Sequence, residues 1–185
     1  TLAHRGVLFL DEFPEFDRRV IDTLREPLEE KVVRVTRARG SAEFPANFIL
    51  VAALNPCPCG NWGVKNRECT CLPIAIERYK RKLSGPIVDR IDLWTEVSLV
   101  PHSSLGTDFK DGEESVVIRE RVKRARDIQR NRAKEHKMNF GTNSELSAKQ
   151  INKVIKLSPS VKSELDHSAE RLNISARCYN KLMKV

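Results

Sequence analysis

The sequence predicts an α/β chain, with a parallel-sheet core over about residues 1–100 and an all-helical part over about 108–185. Two apolar runs without helical period carry the first half of that reading: Val7-Leu8-Phe9-Leu10, and Phe48-Ile49-Leu50-Val51-Ala52-Ala53-Leu54. Such runs are expected of strands buried on both faces of a parallel sheet. Each stops at polar residues, Asp11-Glu12 in one case and Asn55-Pro56 in the other. Beyond residue 112 the apolar positions recur at helical spacing, which carries the second half.

Taken in order, the first strand delivers Asp11 and Glu12 to its carboxyl edge, where open α/β sheets hold their ligands. In P-loop nucleotide hydrolases that arrangement is Walker B, with one acid held toward Mg²⁺ and the next placed to polarise the attacking water. A buried strand running into an acidic turn is the plain alternative. Phe13 to Asp17 is a turn, and Arg18 to Lys31 is a helix with Val20, Ile21, Leu24 and Leu28 on one side, kinked or ended at Pro27. Val32 to Arg37 alternates, Arg39-Gly40-Ser41 has turn chemistry, and Glu43 to Pro45 returns, giving a hairpin whose tip is flanked by Arg37 and Arg39. After the second apolar strand come a cysteine-containing insert over 57–71 and a basic helix, Pro73 to Leu83, broken at Ser84-Gly85-Pro86. A strand from Leu93 to Val100 and a linker from Pro101 to Gly112 follow. A long basic helix is expected from Glu113 to Lys137, with Ile118, Val122, Ala125 and Ile128 as its apolar stripe. Shorter helices run from Ser147 to Leu157, from Ser160 to Leu172, and onward from Ser175.

A chain of 185 residues is long enough for one good core or for a domain with an appendage. The net charge of +8 is unevenly placed, because residues 101–185 carry 18 Lys/Arg against 11 Asp/Glu and residues 1–100 carry 15 against 14. That asymmetry permits a polyanionic partner, although a solvated basic helix face explains it equally. There is no apolar run of transmembrane length and no signal peptide, so a cytoplasmic protein without a membrane partner is expected. The chain starts at Thr1, close to a buried strand, and stops inside a helical pattern, as a fragment cut at both ends would.

Four of the five cysteines fall in two close pairs, Cys57-x-Cys59 and Cys69-x-Cys71, in a segment with too few apolar residues for a core of its own. Four thiolates brought together favour tetrahedral Zn²⁺. Disulfides are the alternative, and a reducing cytoplasm disfavours them. Cys178 stands alone on a helix and is expected to be a buried structural residue. Asn55, at the end of the second strand, is placed to orient water or touch a terminal phosphate, or else is a turn residue. Arg90, between Asp89 and Asp92, is either a surface ion pair or a guanidinium directed at a neighbour's phosphate, and Arg177 poses the same choice.

In this order the Asp11-Glu12 strand, the arginine-tipped hairpin, Asn55-Pro56, Asp89-Arg90-Ile91-Asp92 and Ser175-Ala176-Arg177 resemble the AAA+ ATPases of the magnesium-chelatase-like branch. The resemblance is nearest to the bacterial ComM/YifB group, which carries Asn-Pro-Cys-Pro-Cys-Gly, as residues 55–60 do here, and then a second Cys-x-Cys. It implies a partial AAA+ (P-loop NTPase) parallel-sheet core followed by an all-α lid domain. It also implies an ATP-driven ring of like subunits, usually hexameric, tied to natural transformation through branch migration of DNA. ATP and Mg²⁺ are then the cofactors, beside Zn²⁺ at the cysteines. By the same resemblance Asp11 and Glu12 are Walker B, Asn55 is sensor 1, Arg90 is the arginine finger and Arg177 is sensor 2. The hairpin is similar to one that projects into the central pore of MCM helicases, where Arg37 and Arg39 would meet the phosphate backbone.

No Gly-x-x-x-x-Gly-Lys-Ser/Thr occurs in the chain, so the phosphate-cradling loop is expected upstream and residues 1–185 alone are expected not to hydrolyse ATP. In the family the P-loop strand lies between the Asn55 strand and the last one, so the Leu93 to Val100 strand is expected to be displaced or paired elsewhere. Two further readings remain, a magnesium-chelatase motor subunit and a non-enzymatic, zinc-stabilised DNA-binding or assembly module.

Overall fold

A computed structural model describes residues 1–38, 40–65, 67–98 and 112–185, arranged as two units, Thr1–Trp94 and Thr95–Val185. In the first unit the strands and helices alternate. β1 (Val7–Leu10) leads through a single 3-10 turn, Phe13–Glu15, to α1 (Arg18–Thr23) and α2 (Arg25–Glu30). β2 (Val32–Arg37) and β3 (Gly40–Pro45) form an antiparallel hairpin, and β4 (Ile49–Ala52) pairs in parallel with β1, Val7 opposite Ile49 and Leu10 opposite Ala52. α3 (Pro73–Lys80) and α4 (Gly85–Val88) complete it.

The expectation of strands buried on both faces is corrected. Side chains alternate across a strand with period two, and only one face of the β1–β4 pair is covered. Leu8, Leu10, Leu50 and Ala52 are half-buried. On the other face Val7 (58%), Phe9 (59%), Ile49 (57%) and Val51 (44%) are exposed, since none of the described residues packs there. The covered face belongs to a cluster of Phe13, Ile21 and Ile87, joined by Leu10, Leu24, Ala52, Leu83 and Ile91. Apolar clustering thus places α1, α4 and the turn after β1 together directly beneath the strand ends.

The helix expected from Arg18 to Lys31 breaks at Leu24, not at Pro27. Pro27 lies in the first turn of α2, where a backbone N–H has no intrahelical acceptor to lose. The hairpin turn is tighter than its sequence suggests, because Gly40 and Ser41 already pair with Arg37 and Thr36 in the ladder. Its base is tied to α2 through Arg34, whose guanidinium donates to Glu26 Oε1 at 2.9 Å and to Glu43 Oε2 at 3.0 Å. Ser84-Gly85-Pro86 does end α3, and it also starts α4, with Ser84 as N-cap and proline in the first turn. Ser84 is buried, donates to Asp22 Oδ1 (3.1 Å) and accepts from the Arg25 guanidinium (3.1 Å), so this break is fastened to α1 and α2.

Over Leu93–Ser98 the expected strand does not form, and residues 99 and 100 lie outside the described residues, as does the linker but for Gly112. A strand needs neighbours for its backbone N–H and C=O groups, and β1 and β4 pair only with each other. Leu93, Trp94 and Val97 are exposed accordingly.

The second unit shows only helices among its described residues: α5 (Ser115–Glu135), a 3-10 turn at Asn143–Glu145, α6 (Ala148–Val154), α7 (Pro159–Arg171) and α8 (Ala176–Lys184). The stripe expected to bury α5 is exposed at Ile118, Val122, Ala125 and Ile128. Its last turn does the packing instead, Ala133 joining Phe140, Leu146, Ile151 and Val154. Ser147 and Gln150 form a capping box at α6, and the Tyr179 hydroxyl donates to Asp166 Oδ1 at 2.7 Å, pinning α8 to α7. Cys178 is half-buried, not buried as expected. Among the described residues no helix is long and apolar enough to cross a membrane.

Two isoleucines on helices of the first unit separate core from surface. Ile87 is fully buried and Ile74 is 65% exposed. Ile87→Ala should lower the unfolding free energy by about 3 kcal/mol, and Ile74→Ala should change it by less than about 0.5 kcal/mol, both read from urea titrations followed by circular dichroism.

Candidate functional site

The parallel pairing of β1 and β4 continues past their last residues. Ala53 N–H donates to Leu10 O at 2.9 Å, and Phe13 N–H donates to Ala53 O at 2.9 Å. These two bonds bracket Asp11 and Glu12 and hold them at the edge from which Asn55 also emerges, two residues beyond Ala53. All three side chains are exposed. Glu12 adopts a left-handed conformation (φ 49°, ψ 43°), and its N–H donates to Asp11 Oδ1 at 2.9 Å. Such a conformation costs a residue with a β-carbon about 1 kcal/mol, and here the buried Phe13-Pro14 pair imposes it from the other side of the turn. The result is a pair of solvent-facing carboxylates on a rigid turn, hard oxygen donors of the kind that hold Mg²⁺.

The four cysteines of the insert converge, with their sulfurs all within 4.8 Å of one another. Cys57 Sγ lies 3.4 Å from Cys59 Sγ and 3.7 Å from Cys69 Sγ, and Cys59 Sγ lies 3.7 Å from Cys69 Sγ. Disulfide bonds need about 2.05 Å, and all these cysteines are free. Tetrahedral thiolates at 2.3 Å from Zn²⁺ stand about 3.8 Å apart, so the donor set, its number and its spacing fit that metal. Gly60 and Gly63, both at φ 78°, make the turns that fold the loop around the sulfurs. Trp62 N–H donates to Cys57 Sγ at 3.3 Å, and the Lys80 ammonium sits 3.8 Å above the Trp62 ring, joining the insert to α3.

Without a cation these thiols do not share charge easily. The Asn61 backbone N–H is the main influence that draws Cys59 down to about 6, whereas burial foremost pushes Cys71 up to about 12. Burial also raises Cys57, but the Trp62 N–H and other donors bring it below its ordinary value. The first thiolate forms readily and the last resists, as expected where like charges crowd. A bound dication removes that penalty.

Arg90 occupies a different setting from the one its sequence neighbours suggest. Its guanidinium is only 13% exposed, pairs with Glu29 and donates to Pro86 O at 2.6 Å. Arg177 is exposed at the second residue of α8. Arg37 is exposed at the end of β2, and Arg39 lies outside the described residues. Sequence reasoning missed two residues. Glu29, the partner of Arg90, is distant in sequence, and no local pattern marks it. Tyr79 is 6% exposed although it sits on a basic helix. Burial is the first influence raising its hydroxyl above the usual phenol range; the Asn55 backbone N–H, hydrogen-bonded to it, works the other way, and Glu15, Cys57 and Glu12 add to the rise. A lone tyrosine between charged residues was the only signal.

Comparison with known proteins gives two family matches, Magnesium chelatase, subunit ChlI, over residues 1–105 and Magnesium chelatase, subunit ChlI C-terminal, over residues 112–185. The chain belongs to the magnesium-chelatase ChlI-like family. Among its relatives are the Competence protein ComM of Haemophilus influenzae, 42% identical over 100% of this chain, and the Uncharacterized protein YifB of Escherichia coli, 40% identical over 100%. An uncharacterized protein of Mycobacterium tuberculosis is 36% identical over 99% of it. The chain spans 35% of the length of each of these relatives.

For this ChlI-like chain the cysteine geometry gives a direct test. Protein purified under reducing conditions should carry one zinc per chain by elemental analysis, and Cys59→Ser should lower that content at least about tenfold, a usual cost of a lost ligand. Because the insert has almost no apolar core, a chelator should expose residues 57–71 to proteolysis before the rest of the first unit opens. Zinc below half an equivalent in fresh protein would remove the metal from the account.

Proposed function

We propose that the chain is the part of an AAA+ ring motor that supplies Walker B, sensor 1, the arginine finger and an all-α lid, and that the full-length protein uses ATP hydrolysis to move DNA. The observation that carries the reading is the shared edge of β1 and β4, where two carboxylates and an amide leave neighbouring parallel strands within a few residues of the last ladder bonds. Family membership supports ATP as the substrate, and the match to ComM over the whole chain supports the DNA-directed branch. Residues 1–100 are then the α/β core and 108–185 the lid.

Each residue has a task its chemistry suits. Asp11 offers a carboxylate oxygen toward Mg²⁺, and the ion when bound neutralises charge on the terminal phosphates. Glu12 accepts hydrogen bonding from the attacking water and raises its nucleophilicity. Asn55 orients that water or contacts the terminal phosphate through its carboxamide. Arg177, as sensor 2, contributes a second guanidinium from the lid. Arg90 acts on a neighbouring subunit's nucleotide, for which it exchanges the Glu29 carboxylate for phosphate oxygens of similar fork geometry. The hairpin, whose residues 34–38 and 40–45 are all exposed, presents Arg37 and Arg39 to a phosphate backbone without reading bases. A chelatase motor, as the family description names, is the second reading.

In the full-length protein, Glu12→Gln should leave ATP affinity within about twofold and lower turnover at least about a hundredfold, the usual scale for a lost general base. Rings mixing Glu12→Gln with Arg90→Ala subunits should recover part of that turnover, as a finger working across an interface requires; no recovery at any ratio would place Arg90 elsewhere.

Arg37→Ala in the same protein should lower the slope of log DNA affinity against log salt by about one phosphate contact for each engaged subunit, and weaken DNA stimulation of turnover. An unchanged slope would take the hairpin out of the mechanism, and failure of the unmodified ring to bind DNA at low salt would favour the chelatase motor.

A further inference from the structure

The cysteine insert follows Asn55 after a single proline, and the structure folds it back onto that residue. Gly60 N–H donates to Cys57 O at 3.0 Å, which closes the first turn of the insert. In that turn a β-carbon built on Gly60 would stand 4.0 Å from Asn55 Cγ, so the insert's backbone lies in van der Waals contact with the carboxamide. The next residues bind to α3. Lys80 covers the Trp62 ring at 3.8 Å, and Tyr79, its neighbour on the helix, is turned inward and 6% exposed, with its hydroxyl against the Asn55 backbone N–H. Asn55 is therefore held at its side chain by the loop that the four sulfurs fold and at its main chain by a buried phenol.

Cys57 is fully buried, and its sulfur accepts from Trp62 N–H at 3.3 Å. The conformation of residues 57–62 is thus defined from the sulfur side. Opposite, Ala53 is locked into the strand pair by two backbone bonds of 2.9 Å. Asn55 is the hinge between a rigid strand end and a rigid knuckle, exposed to solvent with no other support for its amide among the described residues. Four thiols arranged only to stabilise a surface loop would not require that contact.

We propose that the metal-filled cysteine knuckle and Tyr79 form one positioning device for Asn55, so that metal occupancy sets the orientation of the sensor amide and thereby the rate of the hydrolytic step. Gly60 and Tyr79 are positioning residues in this scheme; they touch Asn55 and not the nucleotide. The inference rests on the assignment of Asn55 to the hydrolytic site given above. Its consequence is that a motor without zinc binds ATP and fails to turn it over, which ties activity to metal supply and to the thiol redox state of residues 57–71.

The test uses the full-length protein with Tyr79→Phe, Asn55→Ala and the double variant. Tyr79→Phe keeps the ring and its packing and removes one hydroxyl. It should retain full zinc content and KM for ATP within about twofold, lower kcat about tenfold, the rate equivalent of one hydrogen bond, and speed amide exchange at Asn55 alone. The double variant should turn over no more slowly than Asn55→Ala, because a residue that acts through Asn55 has nothing left to position. Zinc removal should likewise speed exchange over residues 53–57 and lower kcat in the unmodified protein but not in Asn55→Ala. Full turnover by Asn55→Ala would sink the assignment of Asn55 and this inference with it. If Asn55→Ala is impaired, three results overturn the positioning device alone: unchanged kcat and exchange in Tyr79→Phe, multiplicative losses in the double variant, or exchange raised throughout β1 and β4, which would mark Tyr79 as a folding residue. Unchanged exchange over 53–57 after zinc loss would overturn the knuckle's part in it.

Discussion

Two backbone hydrogen bonds beyond the end of the parallel ladder, Ala53 N–H to Leu10 O and Phe13 N–H to Ala53 O, set the relation of every residue at the strand edge. Without them Asp11, Glu12 and Asn55 would sit on two independent loops. With them the chain leaving β1 must turn at once, and burial of Phe13 and Pro14 decides in which direction. The left-handed Glu12 follows from these two demands. Strain of about 1 kcal/mol is readily offset by one buried phenylalanine. The core is asymmetric for the same reason. Apolar contacts concentrate under the strand ends, where Ile87 and Ile21 meet Phe13, and the far face of the strands stays open.

Arg90 and the insert solve a common problem in different ways, since both put charge where solvent is scarce. The guanidinium has Glu29 and a backbone carbonyl as partners, so its charge is matched within the chain. Four thiols have no cationic partner within the cluster, and their titration is spread from about 6 at Cys59 to about 12 at Cys71. An arginine so matched can remain in place or exchange one carboxylate for another anion at small net cost, because the lost and gained bonds are alike. A thiolate cluster has no such exchange available and needs a dication.

Much of the first unit was legible in the sequence because its signals are local. Val7–Leu10 and Ile49–Ala52 are strands, Val32–Pro45 is a hairpin, and the two Cys-x-Cys pairs come together. What the sequence misjudged depends on neighbours. A run such as Val7-Leu8-Phe9-Leu10 records that both faces are apolar; whether both are covered depends on what packs there, and one is not. The α5 stripe fails in the same way, Ile118, Val122 and Ile128 being exposed while Ala133 does the packing. Leu93–Ser98 has strand-like residues but no strand edge to join. At the site, the residues ending strands were readable from the change of apolar to polar. Glu29 and Tyr79 were not, because their significance lies in contacts with Arg90 and Asn55 far along the chain.

The small size of the first unit's core bears on why a metal cluster stands beside the strand edge. Only Phe13, Ile21 and Ile87 anchor that core, and none of them reaches the loop after Asn55. Apolar burial therefore fixes the carboxylates and leaves the amide without support from below. A disulfide would tie the loop ends but would not orient the backbone between them. A tetrahedral site orders four positions at once and, through the turn at Gly60, the strip of backbone facing Asn55. Cross-linking by metal is also reversible under reducing conditions, where a disulfide is not stable. The physical logic is that of a small domain recruiting a metal where its hydrophobic interior ends, placed next to the residue that most needs a defined position.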